Sequence, residues 1–142
     1  MNRRRLPILI VALLAFTFTA CVPVVPGLRF IDGQTWSARF DVEVQAGGTT
    51  LNLPVLVLMT FTQRLTNVTA EATIEYDAGI FRLQTGSLVQ LDGRIGYDDG
   101  LSLDSPSGAL SFDGHFSGER LVGTVAIAGV VPVGDVVFTR TR

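Results

Sequence analysis

Strict alternation of apolar and polar residues is the feature that most constrains how this chain folds. It runs through residues 36–44, 68–76 and 110–116. Successive side chains of a β-strand point to opposite faces, so a period of two predicts strands with one dry face. Turn signals rich in Gly, Asp and Ser recur roughly every 8 to 12 residues after Gln34, a spacing typical of all-β proteins. The sequence therefore predicts an antiparallel all-β domain.

A weak internal repeat indicates how these strands are connected. Residues 92–96 (Asp-Gly-Arg-Ile-Gly) recur 21 residues later as residues 113–117 (Asp-Gly-His-Phe-Ser), and a turn and a leucine-bearing strand follow each copy. Short connections let each strand pair with its neighbour in sequence, which predicts an up-and-down meander of eight to nine strands. Such a meander removes its exposed edges most simply by closing into a small barrel. A β-sandwich is the alternative that the turns leave open.

The amino-terminal residues have the organisation of an export signal. Arginines at positions 3–5 precede an apolar stretch of 13 residues, 6–18. That stretch is shorter than the roughly 20 apolar residues of a membrane-spanning helix. Two small residues, Thr19 and Ala20, then lead to Cys21, the single cysteine of the chain, which excludes a disulfide within it.

The run Phe18-Thr19-Ala20-Cys21 resembles the lipobox of bacterial lipoprotein signals, which ends in a small residue and a lipidated cysteine. The resemblance implies that residues 1–20 are a signal peptide and that Cys21 carries a diacylglyceryl group, with further acylation at the new amino terminus. Several acyl chains make such an anchor effectively permanent. Because Val22 rather than aspartate follows, the resemblance implies the outer membrane if the host has one. The expected location is the cell envelope.

The mature chain divides into two parts. Residues 21–33 form the lipidated cysteine and a tether with two prolines, and residues 34–142 form the β-barrel domain. Without residues 1–20 the chain has 8 Arg against 13 acidic residues, a net charge of −5. This charge disfavours nucleic acid as a partner, since phosphate backbones need a positive field. It also disfavours docking on anionic lipid by charge alone.

Four short segments of the mature chain resemble the small exported barrels of the lipocalin and avidin shape. The segments are Gly33-Gln34-Thr35-Trp36, Leu58-Met59-Thr60-Phe61-Thr62-Gln63, Leu121-Val122-Gly123-Thr124-Val125 and Val137-Phe138-Thr139-Arg140. The resemblance implies a barrel architecture. It brings no ligand residues with it, because the sequence lacks a recognisable biotin-binding set.

Residues for catalysis or metal binding are almost lacking, so we expect no enzyme, no cofactor and no metal site. The only histidine, His115, falls on a polar strand face, the only cysteine is expected to be lipidated, and the chain has no lysine. One acidic cluster lies within 13 residues: Asp92, Asp98, Asp99 and Asp104. It lacks the spacing of an EF-hand, and Asp-Asp-Gly is ordinary hairpin chemistry.

The barrel interior is the remaining candidate site. Six aromatic residues fall on apolar strand faces: Trp36, Phe40, Phe61, Phe112, Phe116 and Phe138. An eight-stranded barrel is just wide enough to be filled by side chains or to hold one small ligand. The size of six aromatic side chains favours a filled interior, although the same residues would also line a cavity. Two functions follow: a structural or interaction lipoprotein without catalysis, or a lipocalin-like carrier of a small apolar molecule.

One strand is apolar on both faces. Within residues 51–61, Leu56 and Leu58 lie on the face opposite the main apolar row. One explanation is that the segment of residues 28–31 covers them. The other is a contact stripe, Leu56 and Leu58, for a second copy or another envelope protein.

Overall fold

The computed structural model describes residues 27–76 and 87–142, and these form eight β-strands. The strands are β1 (Thr35–Ala46), β2 (Thr49–Arg64), β3 (Asn67–Tyr76), β4 (Ser87–Ile95), β5 (Gly100–Asp104), β6 (Leu110–Ser117), β7 (Arg120–Ile127) and β8 (Val133–Arg140). Each pairs antiparallel with the next, and β8 pairs with β1 to close a barrel. The predicted antiparallel meander is confirmed with eight strands, and the sandwich alternative is wrong.

The dry faces predicted from the alternation are the faces that point into the barrel. In β3, every second side chain from Val68 to Ile74 is buried, while the intervening threonines and glutamates lie outside. The inward residues of all eight strands form one apolar core. The part of the chain that the structure describes contains no helix long and apolar enough to cross a membrane.

The two ends of the barrel are built differently. We call one the closed end; it comprises residues 27–34, the turns at 65–66, 96–99 and 118–119, and residues 141–142. We call the other the far end; its described turns are 47–48, 105–109 and 128–132. Because successive strands run in opposite directions, successive turns along the chain fall at alternate ends of the barrel.

Residues 28–33, which the sequence assigns to the tether, pack against the closed end. Ile31 is fully buried in the core. The Gly33 amide donates to the Phe61 carbonyl at 2.8 Å, and the Phe61 amide donates to the Gln34 carbonyl at 3.0 Å. These bonds satisfy backbone groups that a bare barrel end would leave to water. The amino-terminal segment is therefore part of the folded domain.

Closure between β1 and β8 is short. The two strands are in register only at Trp36 with Arg140 and at Ser37 with Thr139. In the other direction, the β1–β2 pairing extends to Ala46 with Thr49, and the last described β2–β3 pair is Val55 with Tyr76. The described pairing of β1 with β8 is confined to the closed end.

Candidate functional site

Most of the aromatic residues predicted to line the interior are buried in it. Trp36, Phe61, Phe112, Phe116 and Phe138 are each at most 5% exposed. Phe40 is only half-buried and packs at the edge of the core.

These rings meet each other edge to face. The ring centroids of Trp36 and Phe116 lie 5.4 Å apart with their planes at 69°. Those of Phe112 and Phe138 lie 5.5 Å apart at 83°. Edge-to-face contact places the positive edge of one ring against the negative face of the other. These four aromatic rings therefore pack inside the barrel as two edge-to-face pairs.

Inward-facing glycines make room for one of these rings. Gly114 in β6 is in register with Gly123 in β7. A Cβ atom added to Gly114 or Gly123 would lie 2.6 Å or 2.8 Å from Cζ of Phe112, which is closer than carbon atoms approach. The absence of both side chains lets the Phe112 ring occupy this part of the barrel. Gly93 in β4 is equally crowded, by the backbone of Ser102.

The buried side-chain amide of Gln63 forms hydrogen bonds that hold the amino-terminal segment, residues 28–33, against the closed end. Oε1 of Gln63 accepts from the Ile31 amide at 2.8 Å, while Nε2 donates to the carbonyls of Arg29 at 3.0 Å and Leu65 at 2.8 Å. The Gln63 backbone amide donates to Oδ1 of Asp32 at 2.8 Å. A buried polar group with all its bonds made is stable in place and offers nothing to a ligand. Gln63 is therefore a structural residue.

Arg29 also holds the amino-terminal segment, residues 28–33, against the closed end. The Arg29 guanidinium carbon lies 4.7 Å from the centroid of the Phe116 ring. Its Nε donates to Oδ1 of Asp99 at 3.2 Å, and Nη1 donates to the Gly118 carbonyl at 3.0 Å. These contacts join the amino-terminal segment to two turns of the barrel. No local sequence pattern indicates this arrangement, because Arg29 lies 70 residues from Asp99.

Half-buried apolar side chains of the described residues pack against the core at the far end, and we call this set the apolar mouth. Its members are Phe40, Val44, Leu53, Tyr76, Ala109, Val130 and Val133. Beside them, Leu51 is 47% exposed and Val131 is 66% exposed. Burial raises the pKa of the Tyr76 hydroxyl above its usual value of 10.0, since the phenolate is poorly solvated there. Sequence reasoning found only Phe40 of this set, because the other members are dispersed near five different strand ends.

The contact stripe lies on the outside of the barrel. Leu56 and Leu58 are half-buried in β2. Arg39 and Glu75 flank Leu56 on the neighbouring strands, and smaller polar residues flank Leu58. The segment of residues 28–31 does not serve as their cover, because it closes the barrel end with Ile31 inside.

The acidic cluster is divided by the fold. Asp92 and Asp104 face each other across β4 and β5 on the outer surface. Asp98 and Asp99 lie in the following turn, where Oδ1 of Asp98 accepts from the Gly100 amide and Asp99 pairs with Arg29. Among residues 27–76 and 87–142, no group of three His, Cys, Asp or Glu side chains is placed to hold a metal ion. His115 is exposed on β6.

Cys21, the predicted lipid attachment site, lies outside the described residues. Comparison of the chain with protein-family models, with curated proteins and with solved structures found no match.

Proposed function

We propose that this protein is a lipid-anchored lipoprotein of the cell envelope that acts as a structural or interaction module, without catalysis. The observation that carries the proposal is the occupation of the barrel by its own side chains. The packed rings, the glycines beneath Phe112 and the segment around Ile31 take up the space that a lipocalin-like carrier would give to cargo. A module of this kind works through its outer surface.

Anchoring through Cys21 is supported by the lipobox-like residues and by the position of the folded segment. Leu28, seven residues after Cys21, packs against the core, so the domain would sit directly on its membrane. The test is metabolic labelling with radioactive palmitate in the host. Wild type is expected to be labelled and Cys21→Ala unlabelled, whereas label retained by Cys21→Ala would refute the anchor.

The contact stripe is the surface that we assign to protein contacts. Leu56 and Leu58 are apolar side chains on the outer face, polar residues flank them on both neighbouring strands, and the segment of residues 28–31 packs elsewhere. Apolar side chains in such a position suit a partner surface of the same character, either a second copy or another envelope protein.

The apolar mouth favours a second candidate, a carrier of a small apolar molecule. Half-buried apolar groups such as Phe40, Leu53 and Tyr76 lie together at one end of the barrel, and barrels commonly bind ligands among apolar side chains at such an end. Analysis of the lipids extracted by solvent from protein purified from its host separates the two functions. The module predicts no stoichiometric ligand. A ligand found with wild type and lost in Leu53→Glu, which places a charge in the mouth, would establish the carrier.

A further inference from the structure

The fold gathers most of the arginines of the domain at the closed end. Six lie there: Arg29, Arg64, Arg94, Arg120, Arg140 and Arg142. In sequence they are scattered over more than a hundred residues, but each lies in or within two residues of a closed-end turn or terminal segment. Four acidic side chains share this end: Asp32, Asp98, Asp99 and Glu119. The side chains of the closed end therefore have a net charge of +2.

The rest of the barrel has the opposite charge. Among the other described residues, eight acidic side chains, including Glu71, Glu75 and Asp104, stand against a single arginine, Arg39. The net charge of −5 is thus an average over a positive end and a strongly negative body. A molecule with such a charge distribution has a preferred orientation near a charged surface, whatever its total charge.

Among the described residues, each acidic side chain of the closed end forms an ion pair or a hydrogen bond within the fold, whereas four of the arginines form no ion pair there. The exposed, unpaired charge of this end is therefore mainly positive. Asp99 pairs with Arg29, and Oε2 of Glu119 lies 3.9 Å from Nη2 of Arg140. Asp32 and Asp98 accept from backbone amides. By contrast, the side chains of Arg64, Arg94, Arg120 and Arg142 are exposed, and none forms an ion pair with another described residue.

We infer that the closed end docks on an anionic lipid surface and that the far end, with the apolar mouth, points away from it. The inference rests on the proposed anchor. Gly27 lies six positions after Cys21, and six steps of extended chain span at most about 22 Å. The anchor holds the arginines close to the headgroups, where exposed cationic side chains are attracted to anionic lipid. Such tethering raises the local concentration, so that a weak attraction suffices to orient the domain.

The orientation is tested with the lipidated protein, purified from host membranes and reconstituted in phosphatidylcholine vesicles with or without phosphatidylglycerol. A donor dye is placed at the closed end by Ser117→Cys or at the far end by Val131→Cys, and the vesicles carry a headgroup-linked acceptor. Both positions are exposed. In anionic vesicles at low salt, energy transfer is expected to be several-fold greater from residue 117 than from residue 131. In neutral vesicles, where only the short tether keeps the closed end near the bilayer, the difference should be markedly smaller.

Matched variants assign the effect to the arginines. Arg64→Gln, Arg94→Gln and Arg120→Gln combined should reduce the difference between the two dyes to its value in neutral vesicles, as should molar salt, which shortens the Debye length to about 3 Å. Thr49→Glu, Thr50→Glu and Asn52→Glu combined change the net charge equally at the far end and should preserve the difference. Unchanged urea midpoints show that both variants fold.

A difference between the two positions that is the same in anionic and in neutral vesicles would overturn the inference and leave the anchor intact. Failure of the anchor has a different signature, namely loss of the protein from neutral vesicles in flotation at high salt. In that case, flotation at low salt still decides the inference. Wild type is expected to float with anionic vesicles and the triple arginine variant is not, whereas wild type that stays in solution would contradict docking.

Discussion

At the scale of single residues, Gln63 matters most for the integrity of the closed end. Replacement by alanine removes partners from the Ile31 amide and from the Arg29 and Leu65 carbonyls. Buried groups left without partners cost about 1–3 kcal/mol. We therefore expect Gln63→Ala to lower the free energy of unfolding by about that amount in urea titrations. Gln90→Ala is the control, since Gln90 is exposed and its Nε2 donates to Oε1 of Glu71 on the surface; an equal loss in both variants would contradict this role.

Tyr76 gives the barrel a pH dependence at alkaline pH. Its pKa is raised by burial in the folded state, so the unfolded chain releases the phenolic proton first as pH rises. Its contribution to stability is fully present below pH 10.0 and is lost above that value. The free energy of unfolding of wild type should therefore fall more steeply than that of Tyr76→Phe between pH 9 and 11. Parallel curves for the two proteins would show that Tyr76 makes no such contribution.

At the scale of elements, the pairing of β6 with β7 depends on two side chains being absent. Gly114→Ala would place a Cβ against Phe112 and the Val122 carbonyl. Overpacking of this kind costs about 1–3 kcal/mol, which urea unfolding measures. Gly134→Ala is the matched control, because its Cβ would approach only Oγ1 of Thr124, at 3.9 Å. If Gly114→Ala were as stable as Gly134→Ala, the glycines would not be what admits the Phe112 ring.

The outer face of β2 is a second element with a specific prediction. Leu56→Glu combined with Leu58→Glu places two charges in the contact stripe and leaves the core row untouched. The variant should remain folded but lose any self-association of wild type, as measured by sedimentation velocity. Thr62→Glu, also on the outer face of β2, should have no effect. If wild type sediments as a monomer, contact between two copies through this stripe is wrong.

The elements were also the part of the fold most accessible from sequence. A period of two is a local property, so residues 36–44 and 68–76 revealed their inward rows without knowledge of any partner strand. The repeat at 92–96 and 113–117 marks the ends of β4 and β6, where Gly93 and Gly114 both face inwards. By contrast, Ile31 lies in a short segment without periodicity, and its burial depends on Gln63, 32 residues away.

At the scale of the whole molecule, the main result is an asymmetry between two ends. The net charge and the composition do not show where the charges lie in the domain. The up-and-down topology brings alternate turns to the same end of the barrel, and the arginines that border those turns come together there. The same topology gathers the apolar mouth at the opposite end. Neither set was visible in sequence, because its members are neighbours only after the barrel closes.

The central claim is that the barrel is filled by its own side chains and is held to the envelope through Cys21. Native mass spectrometry of the protein, released from its host membranes with a mild detergent, tests this claim most directly. We predict the mass of the chain from Cys21 onwards with covalent acyl groups and no bound small molecule. A chain without acyl groups, or a stoichiometric non-covalent ligand, would contradict it.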